Sequence, residues 1–199
     1  MSEQDEKPTL WFVRHGESTW NASGLVQGQA EGSVLTAKGR HDAARAAEQL
    51  GHLGVRAIYT SDLERAHETA AIIGHALRLP LRYERALRER NLGSAQGHPL
   101  SELQTAVSGI EDGRVVDADV RPPEGESLRE LYRRVAAFMD DVEALAPEGV
   151  VVVVTHGGVI RMARAYADGV DVEAMDWGPV PNASVWGFDR RCRAVTALQ

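Results

Sequence analysis

Cysteine is nearly absent from this sequence, and long hydrophobic runs are absent altogether. Cys192 is the single cysteine among 199 residues, so an intramolecular disulfide bond and a tetrahedral zinc site built from cysteines are excluded. The longest apolar run, residues 150–154, is far too short to span a bilayer. The first eight residues are polar and mostly acidic, unlike a signal peptide. We therefore expect a cytoplasmic protein that does not associate with membranes.

Positive charge is also in the minority. The chain has 22 Lys and Arg against 29 Asp and Glu, which gives a formal net charge of -7. Binding of nucleic acid by general neutralisation of phosphates is therefore not expected. A chain with this charge binds anions only through a local cationic pocket. The length and the ordinary globular composition predict one domain over residues 9–199, after a disordered tail at residues 1–8.

Predicted strands and helices alternate along the chain. Apolar runs at residues 9–13, 57–59 and 150–154 are typical of central parallel strands that are buried on both faces. Residues 183–188 and 193–198 predict a closing hairpin around a polar turn. The pattern predicts an α/β fold with a mostly parallel central sheet flanked by helices.

The helices carry recognisable start signals. Ser61 with Glu64, and Ser127 with Glu130, have the spacing of capping boxes, in which each side chain binds the other residue's backbone N–H. Apolar stripes at helical spacing follow both of them. We therefore predict helices over residues 62–78 and from about residue 127 to residue 145, and a third helix from about Thr36.

Two strong strands end in similar sequences. The first runs into Arg14 and His15, and the last strong one runs into His156; a glycine follows each histidine. Ligands of parallel α/β sheets bind beyond the carboxyl ends of the strands, so both histidines are expected at one edge of the sheet. Arg65 lies early in the helix after the 57–59 strand. These residues predict the local cationic pocket that an acidic chain needs in order to bind an anion. Arginine suits such a pocket because it binds phosphate oxygens bidentately and stays charged.

The motifs around these residues resemble the histidine phosphatase superfamily, also called the phosphoglycerate mutase-like fold. The resemblance extends from about Leu10 to about Phe188. It implies a phosphoglycerate mutase-like sheet with a small helical insert or lid. The motifs that carry the resemblance are, in chain order, residues 13–21, 27–28, 35–39, 61–70, 87–97, 125–127 and 154–158.

The resemblance implies a role for each matching residue. His15 is the nucleophile and Glu89 the proton donor; Glu89 could not have been chosen from the spacing of the acidic residues alone. The implied catalytic residues are His15, Glu89, His156, Arg14 and Arg65. The implied substrate-binding residues are Arg14, Asn21, Gln27, Gly28, Arg65, Arg90, His156 and Gly157.

The implied reaction is phosphoryl transfer through phosphohistidine. Fixed cationic donors stabilise the charge on the phosphoryl oxygens, and the nucleophile must be a neutral imidazole. The leaving oxygen needs a proton, which Glu89 supplies before it deprotonates water. No cofactor is expected. No metal is expected either, because the remaining histidines lack the spacing of metal ligands.

Two segments depart from the family pattern. The loop at residues 29–34 lacks the usual aspartate and proline and is one residue longer, which leaves substrate contacts there undecided. Residues 94–97 lack the aromatic and acidic residues that many phosphatases carry after the catalytic glutamate. Near the last strand, Asn182 and Ser184 are interpreted as turn residues.

Three functions are open. A phosphomonoester hydrolase is favoured over a cofactor-dependent mutase, because the stretch from residue 90 to residue 124 is short and contains few basic residues. A non-catalytic phosphoryl-binding protein is the third. The expected partner is a small phosphorylated metabolite, with no nucleic acid and no membrane, and homodimer formation is left open.

Overall fold

The computed structural model describes residues 9–103, 108–112, 114–145, 149–175, 177–189 and 194–198. The predicted disordered tail, residues 1–8, lies outside these described residues. The single-domain boundary at residue 9 therefore stays a prediction. Within the described ranges, no helix is both long enough and apolar enough to cross a membrane.

A six-stranded sheet forms the centre of the fold. Its strands are, in spatial order, β3 (Leu81–Tyr83), β2 (Val55–Thr60), β6 (Val150–Thr155), β1 (Thr9–Arg14), β7 (Val185–Asp189) and β8 (Ala194–Leu198). The first four strands are parallel to one another, β7 is antiparallel to its neighbour β1, and β8 is antiparallel to β7. The sheet confirms the predicted mostly parallel architecture with a closing antiparallel pair.

Helices follow the parallel strands. The α-helices are α1 (Thr19–Ala22), α2 (Ala37–Leu50), α3 (Glu64–Leu77), α4 (Leu128–Leu145) and α5 (Gly157–Asp168). Short 3₁₀ helices occupy Arg85–Leu87, Gly93–Ala95, Leu100–Glu102 and Val172–Ala174.

Strand β6 separates two apolar cores. Val151 and Val153 pack in the core that also contains residues of α4 and α5, whereas Val152 and Val154 pack in the core that contains residues of α2 and α3. Both faces of the strand are therefore buried, as its continuous valine run predicts. Because helices cover both faces, the ends of the strands are left to form a site.

Only one of the two predicted capping boxes forms. Ser127 Oγ accepts from the Glu130 N–H at 3.1 Å and Glu130 accepts from the Ser127 N–H at 2.9 Å, which confirms that box. The box at Ser61 is wrong, because α3 begins at Glu64 with Leu63 as its N-cap and without a side-chain cap. The Ser61 hydroxyl instead lies 2.9 Å from Nε2 of His156. The same hydroxyl accepts from the N–H of Leu63, so it holds the turn before α3 and contacts the buried histidine.

The described part of the insert between Glu89 and α4 consists of short elements. Its described part contains the 3₁₀ helices Gly93–Ala95 and Leu100–Glu102 and a small antiparallel ribbon of β4 (Ile110–Glu111) and β5 (Arg114–Val115). Short 3₁₀ turns and glycines suit a segment that covers a site without a core of its own.

Candidate active site

The register of the sheet brings the strand ends together. Arg14 of β1 pairs with Thr155 of β6, and Thr60 of β2 pairs with Val154 of the same strand. His15, Ser61 and His156 each follow one of these residues. The two histidine rings lie 5.2 Å apart between centroids. The predicted convergence of the strand ends is therefore present in the fold.

His15 is held as a neutral imidazole. Its side chain is 2% exposed, and its Nδ1 donates to the Gly16 carbonyl at 2.8 Å. This tautomer is assigned from the hydrogen bond, and it leaves the lone pair on Nε2. Burial first, and then the charges of Arg65 and Arg14, lower the pKa of His15 well below its ordinary value. The ring therefore stays unprotonated at neutral pH.

His156 is held as a hydrogen-bond donor. Ser61 Oγ lies 2.9 Å from its Nε2 and also accepts from the Leu63 N–H at 3.3 Å. We assign the hydroxyl as the donor to Nε2, and this assignment places the proton of the neutral ring on Nδ1. Burial, followed by the charges of Arg65 and its neighbours, lowers the pKa of His156 well below its ordinary value.

The half-buried Arg14 and the buried Arg65 lie beside the histidines. Arg14 donates to the Val180 carbonyl, and Arg65, 1% exposed, donates to the Gly28 carbonyl at 2.7 Å. Burial lowers the pKa of Arg65 to about 10, so its guanidinium stays charged at neutral pH.

Three buried side-chain nitrogens have no hydrogen-bond partner among the described residues: Nε of Arg14, Nε of Arg65 and Nδ1 of His156. Buried polar atoms are almost always satisfied in folded proteins, so a cluster of three donors needs an explanation. The acceptor that suits two cations and one imidazole N–H is an oxyanion. The arrangement therefore fits a phosphoryl group placed against His15.

Asn21 is oriented by its neighbours. Its Oδ1 accepts from the Ser18 N–H at 3.2 Å and from Nδ2 of Asn182 at 3.1 Å. Both of these hydrogen bonds are accepted by the side-chain oxygen, so the amino group of Asn21 is left to face the cavity that this residue lines.

Asn182 does more than the turn chemistry predicted for it, since its Nδ2 also donates to the His15 carbonyl at 3.1 Å. Ser184 keeps the predicted turn role, with Oγ donating to the Pro181 carbonyl at 2.6 Å. A contact between an asparagine after α5 and the backbone of His15 leaves no periodic signal in the sequence, so the sequence did not reveal it.

Gln27 and Gly28 shape the wall beside Arg65. The side-chain oxygen of Gln27 accepts from the hydroxyls of Ser18 and Ser33, both at 2.9 Å. Gly28 has φ +49 and presents the carbonyl that binds Arg65. Their direct contact with substrate stays a prediction.

Glu89 is fixed at the start of α5. Its two carboxylate oxygens accept from the backbone N–H groups of Arg90 at 2.8 Å and Gly158 at 3.0 Å. A Cβ at position 158 would lie 2.2 Å from Glu89 Oε1, so the carboxylate occupies space that only glycine leaves open. The carboxylate lines the same cavity as His15.

The backbone of Glu89 is held as well. Its carbonyl accepts from Nε2 of Gln29 at 2.9 Å and from Arg134 at 3.0 Å. Arg134 also forms an ion pair with Glu126 at 2.7 Å. The proton donor implied by the family is therefore held by side chains from two other segments.

Gln96 connects the two atypical segments. Its side-chain oxygen accepts from the Gln29 N–H at 2.6 Å and from the Leu92 N–H at 3.3 Å. A Cβ on Gly28 would lie 2.2 Å from that oxygen. The loop that presents Gly28 to Arg65 is thus fastened to the loop that follows Glu89. The sequence could not reveal this, because polar loop residues have no periodicity that encodes their partners.

Arg90 uses its guanidinium within the protein. It donates to the carbonyls of Glu126 at 2.7 Å, Val120 at 2.8 Å and Ser108. Burial lowers its pKa to about 10. Arg90 lines the cavity, but these bonds give it the task of anchoring the insert, and its predicted contact with substrate stays a prediction.

The predicted site residues line or adjoin one cavity. A cavity of about 220 Å³ is lined by eight of them, whereas His156 and Gly157 lie beside it, next to His15 and Arg14 respectively. Among the described residues, no group of three or more His, Cys, Asp or Glu side chains is placed to hold a metal ion. The eight lining residues are Arg14, His15, Asn21, Gln27, Gly28, Arg65, Glu89 and Arg90.

Comparison with known proteins agrees with this geometry. The profile of the histidine phosphatase superfamily (branch 1) matches residues 10–196, and the chain belongs to this superfamily. Its members act as phosphatases or mutases through phosphohistidine. The chain is 37% identical over 156 residues to probable phosphoglycerate mutase GpmB of Yersinia enterocolitica, covering 74% of this chain and 69% of the relative.

Solved structures are similar over nearly the whole chain. A mycobacterial glucosyl-3-phosphoglycerate phosphatase, in complex with VO3, matches with a TM-score of 0.81 and 31% identity over 90% of each chain. Bacillus stearothermophilus YhfR matches with a TM-score of 0.79 and 29% identity, again over 90% of each chain. These relatives include both phosphatase and mutase names.

Proposed function

We propose that this protein is a phosphomonoester hydrolase that acts on a small phosphorylated metabolite through a phosphohistidine at His15. The observation that carries the proposal is the set of three unpartnered buried donors on Arg14, Arg65 and His156, grouped around a neutral imidazole. A tetrahedral oxyanion beside His15 would accept from all three donors.

The first half-reaction follows from the proton positions. Nε2 of His15 attacks phosphorus, so that a P–N bond forms as the ester P–O bond breaks. The proton on the Glu89 carboxyl passes to the departing alkoxide. The products are an alcohol and phosphohistidine.

The second half-reaction returns the enzyme to its first state. Glu89 takes a proton from water, whose oxygen attacks phosphorus while the P–N bond breaks. Inorganic phosphate leaves, His15 is neutral again and Glu89 is protonated. The charges of Arg14 and Arg65 stay in place through both steps, so the site needs little reorganisation as charge develops.

A mutase is the second candidate, because the relative from Yersinia enterocolitica carries that name. A phosphoglycerate mutase must hold a substrate carboxylate near the phosphohistidine. The basic residues of the insert do not favour this. Arg90 donates to three backbone carbonyls, Arg121 pairs with Glu130, and Arg114 lies exposed in the ribbon.

The test is phosphate release from a panel of phosphomonoesters, with a chelator present and no metal added. We expect release by the wild type and by His52→Ala, which removes an exposed histidine as a matched control. His15→Ala is expected to release none. A wild type that releases no phosphate, but interconverts phosphoglycerates when given a bisphosphorylated primer, would replace the hydrolase with the mutase.

A further inference from the structure

The catalytic cavity has two chemically different ends. The phosphoryl end holds His15, Glu89 and the donors of Arg14 and Arg65. The remaining wall is mostly aliphatic or aromatic. Besides the buried Val26, its apolar members are Leu25, Leu92, Leu100, Leu103, Ile110 and Trp177.

The apolar side chains come from separate parts of the chain. Leu25 follows α1, Leu92 follows the Glu89 loop, and Leu100 belongs to a 3₁₀ helix of the insert. An isolated β-bridge between Leu25 and Pro99 joins the first and last of these segments. Leu100 is 58% exposed, one of the few large apolar side chains of the described protein that faces solvent to this extent. The apolar wall therefore continues outward to the mouth of the cavity.

The two other cations of the wall are already engaged. Arg90 donates to three backbone carbonyls. Arg161 donates from Nε to the Gly178 carbonyl at 2.9 Å, and its guanidinium lies 4.7 Å from the centre of the Trp177 ring. Against the apolar side chains, an anionic or polyhydroxylated leaving group would lose water without gaining hydrogen-bond partners, which is unfavourable.

We infer that the leaving group of the substrate is an apolar alcohol, alkyl or aromatic, that packs against the wall formed by Leu25, Leu92, Leu100, Leu103, Ile110 and Trp177. This inference rests on the proposed hydrolase. The phosphoryl group binds at the cationic end, and the alcohol, once protonated by Glu89, leaves through the apolar mouth.

The test compares esters whose leaving groups are all alkyl alcohols, so that leaving-group acidity does not decide the result. We would measure kcat/KM for 2-phenylethyl phosphate and hexyl phosphate against glycerol 3-phosphate and 3-phosphoglycerate. The value of kcat/KM reflects the steps from free enzyme and substrate up to departure of the alcohol. We expect the apolar esters to be favoured by at least about tenfold, since even one methylene in an apolar pocket can have such an effect.

A surface variant connects the preference to the wall. Leu100→Ser is expected to lower the ratio of kcat/KM for 2-phenylethyl phosphate over glycerol 3-phosphate by several-fold. Val116→Ser is the matched control. Val116 is an insert residue of similar exposure, 53%, and is not among the described residues that line the cavity. The control variant is expected to keep the wild-type ratio.

Each outcome has a separate meaning. Hydrolysis of the polar esters with equal or higher kcat/KM overturns the apolar leaving group and leaves the hydrolase standing. A preference for apolar esters that Leu100→Ser does not change overturns the assignment to this wall. Absence of hydrolysis for every ester, in a folded protein, overturns the proposed function itself.

Discussion

The carboxylate of Glu89 accepts a hydrogen bond from the backbone N–H of Gly158 at 3.0 Å, in the space that a Cβ at position 158 would fill. The first turn of α5 therefore holds the proposed proton donor through a backbone N–H, and the missing side chain at position 158 leaves room for the carboxylate. Helix N-termini favour negative charge, which suits a carboxylate between its two proton transfers.

Gly158→Ala tests this placement. The new methyl group would displace the Glu89 carboxylate, and a shift of about 1 Å in a catalytic group can cost about a hundredfold in rate. We expect kcat to fall by about that factor while the fold is retained. Gly51→Ala is the control, because a Cβ there lies 3.3 Å or more from its nearest neighbour. Unchanged kcat in Gly158→Ala would show that Glu89 does not act from this position.

Ser61→Ala tests the tautomer of His156. Without the hydroxyl, Nε2 of His156 loses the hydrogen bond that assigns the ring proton to Nδ1. We expect kcat/KM to fall by about tenfold, which is the scale of one lost neutral hydrogen bond. Nitrogen NMR of His156 should show a mixture of tautomers in the variant and the Nδ1–H form in the wild type. A single Nδ1–H form in both proteins, with equal kcat/KM, would contradict the assigned role.

Gln96 provides a comparison of two variants. Gln96→Glu keeps an oxygen for the N–H groups of Gln29 and Leu92, whereas Gln96→Ala removes it. Because this oxygen fastens the Gly28 loop to the loop after Glu89, we expect kcat/KM to fall about tenfold in the alanine variant. The glutamate variant should keep most of the wild-type kcat/KM. Equal losses in both variants would mean that the oxygen is not what matters at this position.

The lowered pKa values of the two histidines make stability depend on pH. In the unfolded chain a histidine has a pKa of about 6.5 and gains a proton below it, whereas His15 and His156 stay neutral in the fold. The unfolded state then binds more protons, so the free energy of unfolding decreases as pH falls below about 6.5. The decrease has an upper bound of about 1.4 kcal/mol per pH unit for each histidine.

Urea unfolding of the wild type and of His15→Asn, at about pH 7.5 and about pH 5.5, measures this effect. The asparagine does not titrate, so the variant should lose less stability on acidification than the wild type. Carboxylates such as Asp62 contribute equally to both proteins and cancel in the comparison. The same pH dependence in both proteins would show that His15 titrates normally in the fold.

Much of the fold and the centre of the site could be predicted from the sequence. Continuous apolar runs identify strands buried on both faces, and the strand-end rule brings His15 and His156 together before any coordinates are known. Glu89 required the family resemblance, because a carboxylate in a loop has no local signal. The capping box predicted at Ser61 was wrong, since α3 begins at Glu64, and the spacing of Ser61 and Glu64 does not show that the Ser61 hydroxyl contacts a buried histidine.

The residues that hold the site residues in place could not be predicted. Gln29, Gln96 and Asn182 act through hydrogen bonds between segments far apart in the chain. Most of their partners are backbone atoms, which every residue has, so residue types do not reveal the pairing. Arg90 matched a family motif, yet its guanidinium is bound to three carbonyls of the insert.

The central claim is that His15 becomes phosphorylated during turnover. The most direct measurement is to mix the enzyme with substrate, quench in base within the first turnover, and locate the phosphoryl group by mass spectrometry of the peptides. We predict a base-stable, acid-labile phosphoryl group on His15, formed before phosphate release and absent from His15→Ala. Phosphate release with no phosphoryl group on His15 at any time, or turnover that survives in His15→Ala, would contradict the account.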